Sequence, residues 1–223
     1  MRLLELDKRY LQIAFNYDMA LAERVIPTLP RSDRILIEAG TPFIKRYGEQ
    51  GIRRIKSLWG GMVVADIKTV DGAEQEVEEA FSAGASAATV TGSAAKETID
   101  LFIKKCEELG MASMVDMINV GQVIRVLWPL KKPPSVVVIH MGRDEESSFG
   151  AVIEYKQVVK VKSKYDVLIS AAGGVDLREA SSAVFNGANI VVVNLVKPSD
   201  PWAGIPAGAN IAEMAKAFLD AIE

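Results

Sequence analysis

The stretch "GMVVADIKTVDGAEQEVEEAFSAGASAATVTG", residues 61–92, decides the fold. It opens on an apolar run, "GMVVAD", with no polar alternation in its inner part. Strands covered on both faces read this way. The next residues change period. Ala73, Val77, Ala80 and Phe81 fall on one helical stripe, with Glu74, Glu78 and Glu79 outside it. Gly84 stands where a helix ends in the left-handed conformation. A second apolar run, "AATVTG" (87–92), follows. Strand, helix, glycine, strand is one turn of a parallel α/β fold.

The unit repeats along the whole chain. Apolar runs occur at "LQIAFN" (11–16), "RILIEAG" (34–40), "GMVVAD" (61–66), "AATVTG" (87–92), "ASMVDMI" (112–118), "SVVVIHM" (135–141), "DVLISAAGG" (166–174) and "NIVVVNL" (189–195). Helical stretches lie between them; "KETIDLFIKKCEELG" stops at Gly110 and "DLREASSAVFNG" at Gly187. Eight such units predict a (β/α)8 TIM barrel. A doubly wound open sheet is the runner-up, but it usually stops at about five to seven strands. No linker, low-complexity tract or composition shift interrupts residues 1–223, so a single domain is expected. The one long Pro/Gly segment, "VKPSDPWAGIPAG" (196–208), joins the last strand to the last helix.

Composition narrows the class. Apolar residues make up 49% and charged residues 25% of 223, as in an ordinary globular enzyme. A net charge of -3 gives no electrostatic footprint for nucleic acid. No apolar run reaches the roughly 18 residues that span a bilayer, so no membrane association is expected. "MRLLELDKRY" is too charged for a signal peptide, and the single Cys106 fits a reducing compartment; a cytoplasmic protein is expected. Cys106 lies at helical spacing in "LFIKKCEELG" and reads as a structural thiol.

In a (β/α)8 barrel the C-terminal ends of the strands carry the active site. The polar residues collect there. The second run ends in Glu38 and the third in Asp66 and Lys68, with Asp71 just beyond. The fifth carries Asp116. The sixth ends in His140, followed by Arg143 and Asp144. Each has a plain reading: a strand-end carboxylate such as Asp71 or Asp144 can cap the next helix, a single histidine can be structural, and Asp66 and Lys68, i and i+2 on a strand, can be an ion pair. Glu38 resists this, because a carboxylate behind "ILI" needs a cation. Their convergence on one rim favours function. At Gly173–Gly174, bare backbone N–H groups with a helix start behind them make an anion site.

These residues resemble a family. Asp66, Lys68 and Asp71 match the Asp-x-Lys-x-x-Asp signature of the orotidine 5′-monophosphate decarboxylase suprafamily. The likeness extends to "LQIAFN", "IEAGTP", "MVDMINV", "VIHMGRDE" and "AAGGV". Glu38 stands where the metal-free branch has lysine. That resembles the metal-dependent branch of 3-hexulose-6-phosphate synthase and 3-keto-L-gulonate-6-phosphate decarboxylase. The resemblance implies Mg²⁺ on Glu38 and Asp66, a phosphorylated sugar substrate and a 1,2-enediolate intermediate. It implies that Lys68 stabilises that charge, that His140 moves a proton, and that Asp116 and Arg143 belong to the catalytic set. Asp71 would reach into a partner subunit, giving a homodimer with shared sites. "IEAGTP" and "MVDMINV" look more like the synthase; Arg143, three after the histidine, looks more like the decarboxylase. The synthase is favoured.

Two positions depart from the family. Its first strand ordinarily ends in Asp, where this chain has Asn16. After the last strand it places Gly-Arg or Gly-Gly on the phosphate, where this chain has Asn194–Leu195. Lys197 is a candidate replacement for the lost cation. A divergent phosphosugar enzyme and a non-catalytic phosphosugar-binding paralogue remain as alternatives.

Overall fold

The computed structural model describes residues 3–146 and 152–223. Eight parallel strands form its centre: β1 (Tyr10–Phe15), β2 (Ile35–Ala39), β3 (Val63–Thr69), β4 (Ala87–Thr91), β5 (Ala112–Asp116), β6 (Val136–His140), β7 (Leu168–Ala172) and β8 (Ile190–Val196). Each pairs with the next in sequence. β8 pairs back onto β1, from Tyr10↔Ile190 to Ala14↔Asn194, and closes the barrel. Between them run α1 (Met19–Val25), α2 (Thr41–Trp59), α3 (Ala73–Ser82), α4 (Lys96–Glu108), α5 (Val123–Leu127), α6 (Arg143–Glu146), α7 (Lys156–Lys162) and α8 (Leu177–Phe185); α9 (Ile211–Ala221) follows β8. The fold is a (β/α)8 TIM barrel.

Alternation along each strand sorts the side chains into two cores. Outward residues such as Ile13, Val115, Ile169 and Val193 pack against the helices. Inward residues such as Tyr10, Leu36, Val64, Met114 and Val192 fill the barrel. The interior is apolar at the N-terminal end of the strands, where Leu4 and Tyr10 close it. One step further along, the inward positions turn polar: Gln12, Glu38, Asp66, Thr89, Asp116 and Ser170 are all buried. An apolar floor beneath a polar mouth is the layering of this fold.

Three details differ from the sequence reading. Phe81, placed on the buried stripe of α3, is 45% exposed, while Ala73, Val77 and Ala80 are buried as expected. The third strand, read as ending in Asp66 and Lys68, runs one residue further, to Thr69. The segment after β8 holds a short strand, β9 (Ile205–Pro206), which pairs with Leu195 and Val196. Cys106 is fully buried, and burial pushes its thiol up to about 12, as suits a structural residue.

Candidate active site

The site begins with an irregularity in β3. Ala65 pairs with Ala88, but the next pair is Thr69↔Val90, so Asp66, Ile67 and Lys68 stand opposite Thr89 alone. Lys68 takes a left-handed backbone (φ 48°), which a non-glycine residue holds only when its surroundings fix it. Thr89 supplies that fixing. Its hydroxyl accepts from the Lys68 N–H (2.9 Å) and donates to Asp66 Oδ1 (2.8 Å). The bulge lets both side chains point into the mouth, with Lys68 Nζ 3.2 Å from Asp66 Oδ1. Thr41, opening α2, donates to Asp66 from the other side (2.7 Å to Oδ2).

Asp116 gathers the rest. Only 2% exposed, it accepts hydrogen bonds from Lys68 Nζ and from the Ile118 N–H (3.0 Å). His140 Nδ1 lies 2.9 Å from both its oxygens. Burial alone would raise the Asp116 carboxyl, but His140 and Lys68 outweigh it and hold it well below the usual carboxylate range. Burial alone would likewise lower the Lys68 ammonium; the charges of Asp66 and Asp116 outweigh it and raise it. Lys68 is therefore a fixed cation at neutral pH. With Nδ1–H committed to Asp116, His140 keeps Nε2 for a reacting group.

Glu38, from β2, behaves oppositely. Burial, and then the charge of Asp66, push its carboxyl up to about 7. Gln12 Nε2 donates to Glu38 Oε2 (2.5 Å), while the buried Gln12 Oε1 has no partner among the described residues. Two repelling carboxylates beside an orphaned amide oxygen are a donor set that suits a hard divalent cation such as Mg²⁺, which accepts one or two carboxylates and completes its shell with water and substrate. No three His, Cys, Asp or Glu among the described residues form a cage by themselves.

A cavity of ≈ 300 Å³ opens over these groups, lined also by Asn16, Arg143, Gly173 and Asn194. It is not the largest: a cavity of ≈ 530 Å³ lies at the opposite end, by Leu4 and Pro133. The mouth is set apart by its buried, displaced carboxylates. Asn16 Nδ2 donates to Asn194 Oδ1 (3.0 Å), so the two departures from the family pattern are partners. The N–H groups of Gly173 and Gly174 donate to no described residue, and Gly173 must lack a side chain because a Cβ would sit 2.1 Å from Met141 O. The start of α8 behind them is already capped, Asp176 Oδ1 accepting from the Glu179 N–H (2.7 Å). Asp71 is exposed beyond β3. Lys197 stands outside the cavity, 4.8 Å over the Tyr17 ring and 3.7 Å from Asp18. Sequence reasoning does not single out Gln12, Thr41 or Thr89; a lone glutamine inside an apolar run is the one signal that points to Gln12.

A closed barrel whose mouth joins Glu38, Asp66, Lys68, Asp116 and His140 defines a class. The chain belongs to the orotidine 5′-phosphate decarboxylase / HUMPS family, whose model matches residues 9–194. It is 35% identical over 219 residues to a bifunctional enzyme Fae/Hps of Methanothrix thermoacetophila, covering 97% of this chain and 53% of that protein. It thus spans about half the length of the curated relatives it matches. Among solved structures, a 3-hexulose-6-phosphate synthase superposes with a TM-score of 0.80 at 28% identity, covering 96% of this chain and 100% of that one. The Salmonella typhimurium 3-hexulose-6-phosphate synthase gives 0.81 at 26%, covering 96% and 98%.

Proposed function

We propose that the chain is a Mg²⁺-dependent carbon–carbon lyase of the 3-hexulose-6-phosphate synthase type, joining formaldehyde to ribulose 5-phosphate and cleaving the product in reverse. The observation that carries the reading is the continuous series Lys68–Asp116–His140 beside the buried Glu38 and Asp66. Family membership and the synthases among the similar structures support it.

Glu38 and Asp66 would hold the cation, which supplies stabilisation of negative charge on the substrate's oxygens. Lys68, kept protonated by its two carboxylates, donates a hydrogen bond to the same charge. Asp116 holds His140 in the tautomer that leaves Nε2 free to take the proton from C1 of ribulose 5-phosphate. The deprotonated C1 attacks the carbon of formaldehyde, whose carbonyl π bond breaks to an alkoxide, and that alkoxide takes the proton back from Nε2. The free N–H groups of Gly173 and Gly174 receive the phosphate. Asp71, exposed and with no hydrogen bond or ion pair to a described residue of its own chain, suits a role across a homodimer interface.

The test is product formation. With Mg²⁺, formaldehyde and ribulose 5-phosphate, the protein should form a hexulose 6-phosphate, and chelation should stop it. Arg143, three residues after His140, favours one second reading, a 3-keto-L-gulonate-6-phosphate decarboxylase. Release of CO₂ from that substrate, with no condensation of formaldehyde, would establish it.

A further inference from the structure

β8 brings no cation to the mouth. Leu195 is fully buried against the helical layer, and Asn194 spends its carbonyl on Asn16. Lys197 lies outside the cavity. An anion on the N–H groups of Gly173 and Gly174 would find no positive side chain on this strand.

Arg143 opens α6, just after β6 and two strands from β8, and lines the cavity. Its guanidinium carbon lies 4.4 Å over the ring of Trp202, in the loop that leaves β8. That loop is tied down at several points. Asp200 accepts from the Lys197 N–H (2.8 Å) and from the Tyr17 hydroxyl. The Ala203 N–H donates to Glu146 Oε1 on α6 (2.9 Å). β9 closes its base on β8. At Gly204 a Cβ would stand 2.2 Å from Asn194 O, so only glycine permits the approach. The field of Arg143 reaches Tyr17 and Asp200, after β1 and β8, on the side where the strand's own cation is missing. Among the described residues no carboxylate forms an ion pair with it. Stacking uses the face of a guanidinium and leaves its N–H edge for a bidentate anion.

We propose that Arg143, seated on Trp202, is the cation that binds the substrate's phosphate in place of one on β8, with Trp202 as its positioning residue. The inference rests on the reading that the substrate is a sugar phosphate, and it gives Arg143 an anchoring role away from the reacting carbon.

The experiment measures binding of inorganic phosphate and of ribulose 5-phosphate, by calorimetry and phosphorus NMR, together with KM and kcat. Arg143→Gln should weaken both ligands about ten- to hundredfold, the worth of a lost charged hydrogen-bond pair. Its affinity for Mg²⁺ should not change. Arg143→Lys should recover part of the loss. Trp202→Ala should raise KM several-fold and leave kcat largely intact, since the contact acts on ground and transition states alike. Melting curves check that each variant is folded. If folded Arg143→Gln binds both ligands as the parent does and loses only turnover, the residue acts at the reacting carbon and the proposal falls. If the parent binds phosphate through Arg143 but converts no pentulose phosphate, the anion site stands and the synthase reading fails. Turnover with KM indifferent to both substitutions would overturn the anion site and leave the synthase reading standing.

Discussion

Glu38 and Asp116 are both buried carboxylates at one mouth, yet they titrate in opposite directions. Asp116 has the Lys68 ammonium and the His140 ring beside it, whereas Glu38 has a carboxylate neighbour. The signs follow. Asp116, depressed on folding, adds stability above the ordinary carboxylate range and loses it as pH falls below that range. Glu38, raised to about 7 from 4.5, adds stability that is complete below about pH 4.5 and is lost as pH rises toward 7. That loss is on the order of 3 kcal/mol. The metal-free protein should therefore melt at falling temperature between pH 5 and about 7, and Glu38→Gln should remove this part of the slope. Mg²⁺ should raise the melting temperature more at pH 8 than at pH 5, and hardly at all in Glu38→Gln. A metal-free melting temperature flat across this range in both proteins would show that Glu38 is ionised without a cation.

At the scale of elements, the sequence was legible where one physical cause acts alone. The eight apolar runs are strands because both faces are covered, and Gly84, Gly110 and Gly187 end helices because each holds a positive φ. The mouth residues Glu38, Asp66, Asp116 and His140 stand out because they interrupt or end such runs. What stayed hidden depends on contacts between elements. Asp66 and Lys68 share the mouth through a bulge held by Thr89, although strict alternation would have paired them too. Gln12 matters because Glu38 on the next strand reaches it. Phe81 fits the helical stripe, but its edge position leaves it in solvent. Nothing local announces that Trp202 will meet Arg143, since the loop after β8 and α6 are brought together across β7, by the pairing of β6, β7 and β8.

Closure of the barrel sets the scale of the whole molecule. Joining β1 to β8 brings Asn16 and Asn194 together and puts side chains from around the whole barrel on one cavity. Asp71 alone of the candidate catalytic residues lies out in solvent, which an active unit of two chains would explain. Asp71→Ala and Lys68→Ala chains, each inactive, should regain about a quarter of the parent activity when mixed and allowed to exchange, because half the dimers carry one intact site. Two folded, exchanging variants that recover nothing would mean that each barrel works alone. The central claim is that this mouth takes the C1 proton of ribulose 5-phosphate with the help of a bound cation. It is tested most directly by following that proton in D₂O by NMR, without formaldehyde. The account predicts exchange in the Mg²⁺-loaded protein, none after chelation, and a loss of about a hundredfold or more in His140→Gln. No exchange by the Mg²⁺-loaded protein, or exchange that survives chelation, would contradict it.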